Sequence, residues 1–234
     1  MGIKNFRPDL NGVLVIDKPL GWTSAKVCST VRWATEGAKV GHAGTLDPLA
    51  TGVLVCCLGK ATKSIPRRMD DEKVYIATIA LDATSTTEDL EGEVTPVHVP
   101  EPPTRADIES AAAGFIGGIM QTPPIFSAVH VDGQRAYHLA RKGKTPEVRA
   151  KPVIIHEITV DEYEWPRLVI TVRCGKGTYI RSIARDLGKA LGTGGMLTAL
   201  VRTRVGEYMI ENAIPAAQLD RPITPDDLLP INND

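Results

Sequence analysis

The chain has 234 residues, 43% hydrophobic and 24% charged, with 27 Lys and Arg against 28 Asp and Glu. That is an ordinary globular composition, enough for one large domain or two small ones. No apolar run approaches the ~20 residues of a membrane helix, and the start of the chain lacks the apolar core of a signal peptide.

Val13–Ile16 reads as a strand closed by Asp17-Lys18-Pro19-Leu20-Gly21. Thr23 or Ser24 can cap a helix whose apolar positions are Val27, Val31 and Ala34. A glycine-rich run follows, Gly41-His42-Ala43-Gly44-Thr45-Leu46-Asp47-Pro48-Leu49-Ala50-Thr51-Gly52, then a buried-strand pattern over 53–58. Lys73 to Leu81 is β-branched and aromatic enough for another strand. Asp82 to Gly92 is a polar loop, and the prolines from 96 to 103 form a stiff connector. Thr104 with Asp107 makes a capping box for a helix reaching about Gly117. Residues 126–131 predict a strand, 132–133 a turn and 136–142 a short helix. Strands are expected over 153–160 and 168–174, and an amphipathic helix from Thr178 to Leu191. Residues 196–200 suggest a further helical piece and 205–210 a last strand. Strands and helices do not alternate strictly, which favours α+β with a mainly antiparallel sheet.

The cysteines, Cys28, Cys56, Cys57 and Cys174, show no CxxC spacing, so no zinc site is expected and a reducing cytoplasm fits. The segment 124–151 holds six basic residues against Asp132 and Glu147. Two more basic clusters occur, Lys60, Lys63, Arg67, Arg68 and Arg173, Lys176, Arg181, Arg185 with Arg202 and Arg204. Each alone reads as a solvated face; together on a near-neutral chain they suggest a polarised surface.

Asp47 carries two readings. Asp followed by Pro is a helix-start signature, and the bare physics favours a cap. The functional reading is a nucleophile or general base. Arg181 bears on the choice: it falls in the first turn of a helix, where the dipole disfavours positive charge. A buried carboxylate would compensate it and would itself stay ionised. Tyr75, mid-strand, reads as core or as a stacking platform for a base. His42 reads as a satisfied loop histidine or a substrate contact. Gly59-Lys60-Ala61-Thr62 fails as a P-loop because the upstream glycine is misplaced and Ala61 lacks the hydroxyl. His156-Glu157 does not begin an HExxH motif, and the acidic loop does not match an EF-hand.

At these residues the chain resembles the bacterial tRNA pseudouridine-55 synthases, the TruB family, from about Gly12 to Tyr208. Asp17–Ser24 is similar to the family's first motif and Gly41–Gly52 to its catalytic motif. Lys73-Val74-Tyr75 resembles the strand with the active-site tyrosine, and the stretches 123–128 and 137–141 its RNA-gripping insertion. Gly175–Arg181 resembles the motif bearing the essential arginine.

The resemblance implies a pseudouridine synthase fold: a mainly antiparallel mixed sheet flanked by helices, with a central RNA-binding cleft. It implies a catalytic domain over 1–210 with the basic insertion near 124–151. A short acidic tail over 211–234 would follow, too short for the complete C-terminal PUA domain of longer relatives. It implies a cofactor-free, metal-free cytoplasmic isomerase that flips a uridine from the TΨC stem-loop of tRNA, breaks N1–C1′ and rejoins the base through C5. No membrane and no obligatory protein partner are expected. Asp47 would be the nucleophile at C6 or C1′, or a base at C2′. Tyr75 would stack on the base and take the C5 proton, and Arg181 would pair with Asp47. His42, Tyr179, Leu200, Lys18, Lys63, Arg141 and Lys142 would contact substrate. Phe126, His130 and Val201 depart from the tyrosine, lysine and arginine common in relatives, which bears on RNA contacts rather than chemistry. A non-catalytic RNA chaperone and an RNA N-glycosidase are the competing functional classes.

Overall fold

The computed structural model describes residues 6–127, 130–131, 134–135, 139 and 146–231. By its internal contacts the chain divides into two units, Met1–Tyr75 with Val201–Asp234, and Ile76–Leu200. Both are built of β-strands with helices beside them, an α+β architecture in which parallel and antiparallel pairings occur.

In the first unit, β1 (Gly12–Lys18) runs antiparallel to β3 (Ala50–Leu58), from Gly12 opposite Leu58 to Lys18 opposite Gly52. The short β2 (Val40–His42) also pairs with β3, and β14 (Ile214–Pro215) lies parallel to β1. β12 (Met196–Val205) contributes its residues from Val201 onward and turns into β13 (Tyr208–Met209). The uninterrupted apolar runs of β1 and β3 have a simple cause: both faces are covered. One face packs Leu14, Ile16, Leu54 and Cys56 against Val27, Val31 and Ala34 of α1 (Ser24–Ala34). The other packs Val13, Val15, Val53 and Val55 against Ala43, Ala61, Val205 and Tyr208. The expected cap of α1 is Thr23, whose hydroxyl accepts from the Lys26 amide.

The segment expected as an acidic tail is built into this unit. Ala216, Leu219 and Ile223 join the α1 core, and Leu229 exchanges backbone hydrogen bonds with Val13.

The second unit orders β4 (Lys73–Ala80, from Ile76), β11 (Arg167–Cys174), β10 (Lys151–Glu164) and β7 (Gly117–Gln121) side by side. β10 is antiparallel to both β11 and β7. A hairpin of β5 (Ala83–Ser85) and β6 (Val94–Pro96) lies outside that sheet. The helix α3 (Arg105–Ala113) carries the expected capping box, Thr104 and Asp107 each bonding the other's backbone. The amphipathic helix α4 (Ile180–Leu191) buries Ile180, Ile183, Ala184 and Leu187 and ends on Gly192 at φ 69°.

Three expectations are corrected. The stretch 196–200 is strand, the start of β12, because the β-branched Val201, Thr203 and Val205 extend it and pairing overrides local propensity. The α3 helix stops at Ala113, and Gly117 at φ 103° starts β7 instead. No helix begins at Asp47: Asp47-Pro48-Leu49 is a turn, closed by the Ala50 amide on the Asp47 carbonyl, that leads into β3. Of the described residues within 126–131, 130–131 are strand and 126–127 are not; 128–129 and most of 136–142, with Arg141 and Lys142, lie outside the described residues.

Candidate active site

Asp47 projects from the β2–β3 loop, half-buried, with no helix to cap. The loop is held from three sides within its own unit. Ser24 brackets it at Leu46, its hydroxyl accepting from the Leu46 amide at 2.9 Å and donating to the Leu46 carbonyl at 3.1 Å. Lys18 is wholly buried, and its ammonium donates to the carbonyls of Trp22, Pro19 and Pro48 at 2.6, 3.0 and 3.4 Å. Arg202 is 1% exposed and donates to the carbonyls of Val53, Gly44 and Thr45 at 2.8, 3.1 and 3.5 Å. Carbonyls of a tight loop need donors when water is excluded, and two buried cations supply them on either side of Asp47. Gly52 permits the approach: at φ 96°, a Cβ there would sit 2.3 Å from the Arg202 carbonyl oxygen.

His42, at the end of β2, has Nδ1 buried without a hydrogen-bond partner. Burial lowers its pKa and the Arg202 guanidinium lowers it further, against an opposing backbone bond with Gly44. The imidazole is therefore held neutral at pH 7, a polar ring without charge beside the loop. Tyr75 is nearly buried on β4, at the boundary residue of the first unit. Lys63 is exposed on the 3-10 turn Gly59–Ser64, near exposed Lys60 and Arg67. Arg68 of the same cluster is buried instead, donating to Ser64 and to the Tyr208 hydroxyl.

In the second unit, Arg181 occupies the first turn of α4 and is 6% exposed. Its guanidinium donates to the carbonyls of Thr87 and Phe126, each at 3.0 Å, and lies 3.4 Å from the Asp89 carboxylate. Asp89 is itself 1% exposed; its other carboxylate oxygen accepts from the Thr87 hydroxyl and the Glu91 amide. The buried carboxylate demanded by a cation in the first turn is thus present in Asp89. Tyr179 is the half-buried N-cap residue of α4; its amide and carbonyl are both bonded by the Gln121 side chain. Leu200 is 9% exposed on β12.

Several placements differ from what the residue pattern suggests. Lys18, expected at substrate, lies beneath the loop with its donors spent on carbonyls. The third basic cluster is largely consumed internally: Arg173 pairs with Glu157, Arg185 with Glu88 and Asp186, Arg204 with Glu72, and Arg181 and Arg202 are buried. Sequence pattern alone does not mark Asp89 and Arg202 as buried partners of these loops. The alternation Ser85, Thr87, Asp89 was the available signal for the first, since all three turn inward to one another. For the second, a helical reading of 196–200 hid which side of a strand Arg202 occupies. Among the described residues no group of three or more His, Cys, Asp or Glu converges as a metal site would require, and no helix is long and apolar enough to cross a membrane.

The α+β fold, with strands of mixed pairing and flanking helices, is the architecture of the pseudouridine synthases, RNA uridine isomerases. A chain in a solved Cbf5–Nop10–Gar1 complex superposes with a TM-score of 0.69 at 30% identity, over 89% of this chain and 54% of that one. A chain in an H/ACA RNP bound to a substrate RNA containing 2′-deoxyuridine gives 0.68 at 26% identity, over 94% and 58%. The chain therefore spans little more than half the length of those solved chains. Residues 32–180 match the TruB family pseudouridylate synthase N-terminal domain, and residues 181–225 the tRNA pseudouridylate synthase B C-terminal domain. The tRNA pseudouridine synthase B of Phocaeicola vulgatus is 50% identical over 208 residues, 86% of this chain and 88% of that one. That of a Ruegeria species is 48% identical over 221 residues, 94% and 73%. The chain belongs to the TruB family of pseudouridylate synthases.

Proposed function

We propose that this chain isomerises uridine-55 in the TΨC stem-loop of tRNA to pseudouridine, with Asp47 as its nucleophile. The observation that carries the reading is the Gly41–Gly52 loop, which presents one half-buried carboxylate on a backbone braced by two buried cations. Family membership and the names of the relatives support the substrate.

The reaction balances within one nucleotide. The N1–C1′ bond breaks, the uracil turns, C5–C1′ forms, C5 loses a proton and N1 gains one. A paired base is out of reach of any side chain, so the uridine must leave its stack at a cost of a few kcal/mol. Stacking on Tyr75 returns about 1–3 kcal/mol of that, and in this reading the same phenol takes the C5 proton. Arg181 pairs with Asp47 during the reaction and keeps it ionised. Neutral His42, Tyr179 and Leu200 hold the flipped nucleotide, and Lys63, Arg141 and Lys142 grip phosphates. Enclosure keeps the detached base as second reactant at high effective concentration.

The test is direct. A tRNA transcript incubated with the protein is mapped for pseudouridine by carbodiimide adduct and reverse transcription. A stop at position 55 is expected. Folded protein that leaves that position unmodified rejects the proposal, and free uracil among the products would make the chain an N-glycosidase instead.

A further inference from the structure

Among the described residues of the second unit, one non-glycine position has a positive φ, and it lies in the segment that holds Arg181. Glu88 has φ 65°, in the left-handed region that a residue with a Cβ avoids at a cost of order 1 kcal/mol or more. Its neighbours are the two residues that Arg181 grips: the Thr87 carbonyl on one side and the Asp89 carboxylate on the other. The torsions at 88 fix how those two acceptors face one guanidinium.

Something must hold Glu88 in this conformation, and its side chain is the means. One carboxylate oxygen accepts from Arg185 at 2.6 Å, while the other is buried without a hydrogen-bond partner. Arg185 is fixed in turn by Asp186 at 2.8 Å and by the Thr122 carbonyl at 2.9 Å. It lies on α4 one turn after Arg181, so one helix grips the 87–89 segment twice. The Glu88 main chain is tied as well, its amide to the Ser85 carbonyl and its carbonyl to the Leu197 amide. Glycine would adopt φ 65° freely. The chain instead has a glutamate, whose carboxylate reaches a cation that glycine could not.

We infer that Glu88 and Arg185 form a positioning clamp, which holds residue 88 left-handed so that Thr87 and Asp89 aim Arg181 for the reaction. Neither residue touches substrate in this role; both act through Arg181. The inference rests on the reading that Arg181 serves the isomerisation.

A set of variants separates this role from general stability. Glu88→Ala removes the carboxylate and leaves the strain, so single-turnover kcat should fall about tenfold with KM for tRNA within about twofold. Glu88→Gly removes the same carboxylate and the strain together, so kcat should stay within about threefold of the parent chain. Arg185→Gln should cost about tenfold in kcat alone and under threefold in the E88G background. A residue that merely stabilises the unit, or that binds RNA, gives no such rescue by glycine. Equal kcat for E88A and E88G, or the same loss from R185Q in both backgrounds, overturns the clamp. Arg181→Lys is the control: if it retains full activity, the reading of Arg181 fails, whereas an inactive R181K beside an indifferent E88A and R185Q rejects the clamp alone.

Discussion

Arg202 shows what one residue does for the site. It brings a full charge into the core and leaves almost none of it exposed, and its guanidinium is spent on two carbonyls of the loop that bears Asp47, Gly44 and Thr45, and on the Val53 carbonyl of the adjoining β3. Hydrogen bonds to a charged group contribute about 1.5–3 kcal/mol each, and orphaned buried carbonyls cost about as much. Arg202→Met keeps most of the volume and removes the donors. It should lower stability by about 3 kcal/mol, or roughly 5–10 °C in Tm for a chain of this size, read by thermal melting. A Tm within 1–2 °C of the parent chain would show that solvent satisfies the loop instead. His42 gives the corresponding pH dependence. Its pKa in the folded chain lies below the ordinary 6.5 because of burial and Arg202. The unfolded chain therefore takes up its proton first as pH falls. Stability contributed by neutral His42 is complete above pH 6.5 and declines below it, until the folded pKa is reached. Proton NMR should show the His42 ring titrating below 6.5, and in R202M moving back toward it.

At the scale of elements, close backbone approach decides where glycine is required. Gly188 on α4 faces Gly194, and a Cβ there would sit 2.1 Å from the Gly194 carbonyl oxygen. Gly188→Ala should therefore destabilise by about 1–3 kcal/mol despite alanine's better helix propensity, as read by denaturant unfolding. A stabilised variant would mean that the 192–195 turn gives way at little cost. Strong periodicity was legible from sequence: β1, β3 and α4 fall close to where their apolar patterns put them, and the Thr104–Asp107 box caps α3 as its spacing implies. Residues 196–200 were misread because Met, Leu and Ala favour helix locally, while the strand is imposed by partners far away in sequence. Asp47-Pro48 was misread by the same kind of reasoning, since a cap signature says nothing about whether a helix follows. Motif residues of the Gly41–Gly52 loop were legible by resemblance. The buried partners that brace them were not, because a lysine or arginine in sequence carries no mark of burial.

Across the whole molecule, charge is arranged more economically than its linear clusters suggest. Arg173, Arg185 and Arg204 are each tied to an acidic side chain, and Arg68, Arg181 and Arg202 are buried. By the proposed reading, RNA binding by electrostatics then falls to exposed positions such as Lys60 and Lys63 and to the basic stretch holding Arg141 and Lys142. Reversing Arg141 and Lys142 to glutamate should weaken tRNA binding and flatten the slope of log K against log salt, since fewer counterions are released. An unchanged affinity and slope would remove that stretch from the interface. Each cation committed to the interior braces a loop or helix instead of gripping phosphate.

The central claim is that the Asp47 carboxylate performs the isomerisation while the rest of the chain binds, bends and encloses the RNA. Asp47→Asn preserves shape and hydrogen-bonding capacity and removes the charge. In a single-turnover assay with position-55 mapping, the variant should bind tRNA within about threefold of the parent affinity and form no pseudouridine, a loss of at least about a thousandfold in rate. Pseudouridine formed by D47N at a rate near that of the parent chain would contradict the account.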